Sequence, residues 1–216
     1  MATSGKKRVN GKVTYIPKNS TSDLYKGLYV EGSAGEYQKN ADEIVKGARD
    51  VLNDFGYENE IKSVMFIQSR TNSKRVENLA SMNGQGDLKI TKSGLEPQQN
   101  TNGYLVNDTH RGLGTHEAGH AVVYALIKDK VMPNATRLEQ STARKKQKLE
   151  KAIIKEATRR YGSNPKISKY GSTKLSEKVA EAVSDTYSNK NSANPFSKVV
   201  VGVMKDIKTG KFKPKI

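Results

Sequence analysis

Between positions 36 and 55 apolar residues recur at helical spacing. Ala41, Ile44, Val45, Ala48, Val51, Leu52 and Phe55 share one face, and Gly56 follows as a helix stop. The run IKSVMFIQS at 61–69 is apolar and bounded by turn formers, which predicts a central strand. GDLKIT at 86–91 and GYLVND at 103–108 predict two further strands, whereas 70–86 has no decided period. A helix is expected from 115 to 128, with Thr115 at its N-cap and Pro133 and Asn134 closing the region. A longer helix is expected over 137–162, ended by Gly162, then a connector and a third helix over 174–189. The order predicts an α+β fold in which a small mixed sheet lies beside a helical half. Residues 1–35 read as a partly extended arm, with short strands at KVTYI (12–16) and GLYVEG (27–32). Residues 36–190 form the expected domain, and 191–216 a short last helix and basic tail.

Composition narrows the chemistry. Cysteine is absent from the 216 residues, so disulfides, zinc–thiolate sites and a thiol nucleophile are excluded, and any metal must be held by His, Asp or Glu. Hydrophobic residues make up only 34%, and no apolar run approaches the length of a membrane span. The N-terminal stretch carries basic residues without an apolar segment, so no secretory signal is visible and a cytoplasmic or virion-associated setting is expected. A net charge of +16 suits an anionic partner. Its densest part is 137–160, where nine Lys or Arg stand against three Glu; nonspecific contact with nucleic acid or a virion protein is expected there. No helix-turn-helix, RNP-like strand or zinc finger accompanies it.

Of the three histidines, His116 and His120 are four apart, with Glu117 directly after the first. On a helix that spacing puts both imidazoles on one face, about 6 Å apart along the axis, where both reach one metal ion. Glu117 then stands beside the metal, placed to take a proton from water. Ala118 and Gly119 are expected to keep the metal side open, and AVVYALI to bury the rest of the helix. His110 is expected in a loop near the cleft. With His110 the one spare imidazole, a carboxylate is the natural third ligand, and Glu177, Glu181 and Asp185 lie four apart on one face of the 174–189 helix. One would bind the metal and another would orient a ligand histidine.

Two resemblances bear on that choice. EAVSD at 181–185 is similar to the E-x-x-S-D segment of thermolysin-like peptidases, which implies Glu181 as ligand and Asp185 as its outer partner. SKYGSTKLSEKVAEAV at 168–183 resembles the corresponding segment of the anthrax toxin lethal factor family and the Pro-Pro endopeptidases, with a tyrosine seven positions before the zinc-binding glutamate. Lethal factor also has a second acid four positions after it. That second resemblance implies Glu177 as ligand, Glu181 behind it and Tyr170 as a donor to the oxyanion, and it accounts for more residues. It also implies a gluzincin-type, zincin-like fold of the kind found in phage minor head proteins. The 57 positions from His120 to Glu177 exceed the interval usual in those families, and the basic helix fills the excess.

The expected activity is a zinc-dependent endopeptidase, phage or mobile-element encoded, with Zn2+ as cofactor and a peptide or protein as substrate. Glu117 is its general base and Tyr170 its oxyanion donor. The resemblance also implies a substrate extended along an edge strand, with GDLKIT or GYLVND as the candidate edge. The alternative is a non-catalytic basic virion or nucleic-acid-associated protein that retains the fold. A toxin-like secreted peptidase is a third reading.

Overall fold

In the computed structural model, which describes residues 6–9, 12–15, 23–67, 79–97, 102–134 and 143–216, the helical period of 36–55 becomes α1 (Gln38–Asp54). All seven of its expected apolar residues are buried, and Gly56 follows with φ of 65°. The arm contributes β1 (Lys6–Val9) and β2 (Lys12–Tyr15), an antiparallel hairpin, and β3 (Tyr29–Glu31). Tyr25, Leu28 and Ala34 join the main apolar cluster, so the core takes in part of the 1–35 segment.

β3 belongs to a four-stranded mixed sheet with β4 (Ser63–Ile67), β5 (Ala80–Met82) and β6 (Asp87–Thr91), in the order β3-β4-β6-β5. β3, β4 and β6 run parallel, and β5 closes one edge antiparallel. β4 is the expected central strand; positions 68 and 69 of that expectation lie outside the described residues. β6 is GDLKIT, with Leu88 and Ile90 buried and the alternate residues half-buried, the period of a one-sided strand. It is paired on both sides and is therefore not an edge. The edges are β3 and β5, and β5 lies inside the stretch that had no decided period.

GYLVND forms no strand. Its backbone is engaged elsewhere: Lys169 N donates to Gly103 O (3.4 Å), Tyr170 N to Tyr104 O (2.8 Å), and Val106 N to the Glu181 carboxylate (2.7 Å). An apolar run takes whichever partners its backbone finds, and here they lie in the connector and the glutamate helix.

The helical half contains α2 (Lys92–Leu95), α3 (His110–Leu126), α4 (Ala143–Tyr161), α5 (Leu175–Ser184) and α6 (Pro195–Lys208). α3 continues into a π-helical turn at Ile127–Val131, and α5 into another at Asp185–Asn189. The expected helix over 137–162 is α4 from Ala143; its first positions lie outside the described residues. Among the described residues no helix is long and apolar enough to cross a membrane. Val64, Leu88 and Ile90 of the sheet meet Ile44 and Leu52 of α1, Val122 and Leu126 of α3, and Ile153 of α4 in one apolar cluster. α6 supplies Phe196, Val200, Val203, Met204 and Ile207 to the same cluster.

α3 begins five residues before the expected Thr115. Thr109 caps it, its hydroxyl accepting from Gly112 N at 2.9 Å. Thr115 is buried within the helix, and its hydroxyl donates to Gly112 O. Gly112 and Gly114 read locally as helix breakers, but packing overrides that tendency. A Cβ on Gly114 would lie 1.9 Å from Ile44 O in α1, and one on Gly47 would lie 2.5 Å from Arg111 O in α3. The two glycines thus let the helices cross with backbones in contact. We predict that Gly114→Ala costs about 3 kcal/mol or more, because two main chains must separate. Gly202→Ala in α6, where a Cβ meets nothing within 4 Å, should raise stability by about 0.5–1 kcal/mol. Urea denaturation of both variants checks the pair, and equal effects would refute the crossing argument.

Candidate metal centre

α3 carries His116, Glu117 and His120, and α5 carries Glu177 and Glu181. The helices approach closely at Gly119, where a Cβ would meet Ala180 Cα at 2.9 Å and Val183 Cβ at 3.2 Å. Gly119 therefore admits the neighbouring helix instead of opening the metal side, and Ala118 is fully buried. The approach seats one Glu177 oxygen between the imidazoles, 3.2 Å from His116 Nε2 and 3.4 Å from His120 Nε2. The ligand atoms of His116, His120 and Glu177 all lie within 4.8 Å of one another, and this group can hold a metal ion.

Glu181 takes the supporting position. One of its oxygens is 2.8 Å from His116 Nδ1 and the other accepts from Val106 N at 2.7 Å. It is 1% exposed and spends both oxygens away from the face that His120 shares. Glu177, not Glu181, is thus the carboxylate that joins the two imidazoles. Asp185 has a different task from the one expected. Its oxygens accept from Asn189 Nδ2 (2.8 Å) and Asn194 N (2.9 Å), tying the end of α5 to the start of α6. His110 is the first residue of α3 and no loop residue; its Nε2 donates to Glu96 O at 2.9 Å.

Glu117 is 6% exposed, and its carboxylate accepts from Met82 N of β5 at 2.9 Å. The sheet edge therefore borders the histidine face. Tyr170 lies on a short turn, Tyr170–Ser172, with its ring centroid 5.7 Å from that of His116. Its hydroxyl is pushed well above the usual phenol range by burial, then by the charge of Glu177 and a hydrogen bond to it. The group that sequence reasoning missed is Tyr104, its ring tilted at 40° against that of Tyr170 with centroids 5.5 Å apart, and its carbonyl accepting from Tyr170 N. Met82 N and Val106 N were missed too, since a backbone amide has no sequence signal.

Without a metal the centre is a proton trap. Burial works against a charged His116, but hydrogen bonds to Glu177 and Glu181, with the charges of Glu117 and Glu181, outweigh it and push the imidazole up to about 10. Glu177 moves oppositely: burial opposes its charge, and hydrogen bonds from His116 and His120 drive it well below the carboxylate range. Both ring nitrogens of His116 face carboxylates, an arrangement that favours the metal-free ring as an imidazolium donating from both. No family model, curated protein or solved structure matches the chain.

This electrostatic arrangement makes three predictions. A metal needs the neutral imidazole, so metal uptake near neutral pH should eject about one proton. Calorimetry in buffers of different ionisation enthalpy measures it, and no buffer dependence would refute the trap. Because the folded value for His116 lies above its ordinary 6.5, its stabilisation of the metal-free fold is complete below 6.5 and fades as pH rises through about 10. Glu181→Gln should weaken metal binding by about 10- to 100-fold, read by competition with a chelating dye.

Proposed function

We propose that the chain is a zinc-dependent endopeptidase of the gluzincin type, with His116, His120 and Glu177 as ligands. The observation that carries this reading is the spacing of those ligands. Tetrahedral coordination at about 2.0–2.1 Å sets neighbouring ligand atoms about 3.3 Å apart. The Glu177 oxygen stands 3.2 and 3.4 Å from the two Nε2 atoms. Both Glu177 contacts match the edges of such a cage, and the ligand atoms of all three residues lie within 4.8 Å of one another.

Charge supports the same reading. Glu117, Glu177 and Glu181 stand around two imidazoles, and among the described residues no Lys or Arg pairs with any of them. With neutral histidines this leaves three negative charges in a largely buried place, which a dication offsets. Two imidazoles and a carboxylate are a ligand set for catalytic zinc, which keeps one position open.

Bound zinc supplies a Lewis acid that acidifies water and polarises a carbonyl. Glu117, held at the sheet edge by Met82 N, accepts the proton of the attacking water and returns it to the leaving amine. Tyr170 retains its proton at neutral pH and donates a hydrogen bond to the oxyanion as the carbonyl is attacked. Glu181 keeps His116 Nδ1–H in place, so that Nε2 presents its lone pair. An extended peptide pairs with the outer edge of β5, the strand whose amide reaches Glu117.

Metal analysis of the purified chain beside hydrolysis of a quenched peptide library tests the reading. Glu117→Gln should keep its zinc and lose about 10²- to 10⁴-fold in kcat. Tyr170→Phe should lose about 10²-fold in kcat with unchanged metal content. Glu177→Ala should lose zinc itself. Zinc retained in the Glu177 variant, or hydrolysis that survives Glu117→Gln, would overturn the assignment.

A further inference from the structure

The outer face of α4 and the end of the chain enclose a groove of about 790 Å³, lined by Lys148, Lys151, Lys155, Phe212, Lys213 and Ile216 among others. We propose that it docks an acidic, amphipathic helical segment of a partner protein.

The face is built in a regular way. Lys148, Ala152, Lys155 and Arg159 recur at helical spacing on the face opposite Leu149, Ile153 and Ala157, which are fully buried in the core. From Lys148 to Arg159 the stripe runs about 16 Å, roughly three turns. Ala152, Phe212 and Ile216 line the groove with apolar atoms, as do the stems of the lysines. The rims are cationic on both sides, with Lys148, Lys151 and Lys155 from α4 facing Lys213 and Lys215 from the tail.

Those charges are uncompensated. The one acidic side chain in the lining is Glu156, and its carboxylate already accepts from Arg159 and Arg160 at 2.8–2.9 Å. Among the described residues none of the five lysines has an acidic partner. A ligand that fits must bring acids along two edges and apolar side chains between them, the pattern of an amphipathic acidic helix. Nucleic acid fits less well. Phosphates would satisfy the rims but leave the apolar floor unused, and Phe212 is the one aromatic residue of the lining, so the groove offers bases no run of stacking rings.

The test uses the full chain and a fluorescein-labelled synthetic helix of about three to four turns, with glutamates on two edges of a leucine face. Fluorescence anisotropy should report saturable binding. Replacing its leucines by serine at constant charge should weaken binding roughly tenfold or more. Lys148→Glu, Lys151→Glu and Lys155→Glu together should do the same. These exposed positions leave the fold intact, which an unchanged thermal melt verifies. Ile216→Ser should weaken binding several-fold as an independent check on the floor. Equal binding of the serine peptide would reduce the groove to an ion exchanger and overturn the proposal. So would equal binding by the charge-reversed variant. A short duplex DNA that displaces the peptide and itself depends on the three lysines would overturn it in favour of a phosphate-binding surface.

Discussion

The contact on which the centre depends is a carboxylate of one helix seated between two imidazoles of another. Nothing local brings Glu177 to His116 and His120. α3 and α5 must approach until the Cα of Ala180 lies where a side chain on position 119 would begin. Once they do, burial makes the arrangement nearly obligatory. His116 is 6% exposed and Glu181 1% exposed, and a charge taken that far from water needs a partner with good geometry. Each group in the cluster therefore fixes the next. Glu181 holds His116 from behind, His116 and His120 hold Glu177, and Met82 N holds Glu117.

The same carboxylates organise the surrounding chain. Glu181 reaches past His116 to Val106 N, which ties the segment before α3 to α5. That segment places Tyr104 on the ring of Tyr170 and gives Tyr170 N an acceptor. Supporting residue, aromatic pair and metal face thus form one hydrogen-bonded unit drawn from 104–106, 116–120, 170 and 177–181. Asp185, a turn beyond Glu181 on the same helix, closes the α5–α6 junction instead. The acids that looked equivalent by spacing are separated by what each one faces.

The basic helix between the two halves of the centre has two roles, divided by face. Leu149, Ile153 and Ala157 complete the core, and this burial explains how the 57 positions from His120 to Glu177 are accommodated. Its other face carries lysines that the fold leaves without acids. A solvated charged face costs little to maintain, so core packing alone does not require the apolar lining that the tail adds beside it.

By itself the sequence determined whatever depends on spacing within one element. The apolar period of α1, the alternation in β6, the pairing of His116 with His120 and the stacking of Glu177 with Glu181 are set by the turn of a helix or the pleat of a strand. It also supplied the chemical limit that without cysteine only His, Asp and Glu can hold a metal. Tertiary structure decided the rest, because those choices lie between elements. Three-residue β5 becomes an edge only by pairing with β6, and GYLVND forgoes strand structure because its amides and carbonyls find partners at 169–170 and on Glu181. α3 starts at His110 through glycines that are poor helix formers alone but allow α1 to touch it. Which glutamate meets the imidazoles is likewise a matter of how α5 is rotated against α3, and rotation between packed helices is set by shape at their contact, a quantity that no local spacing contains.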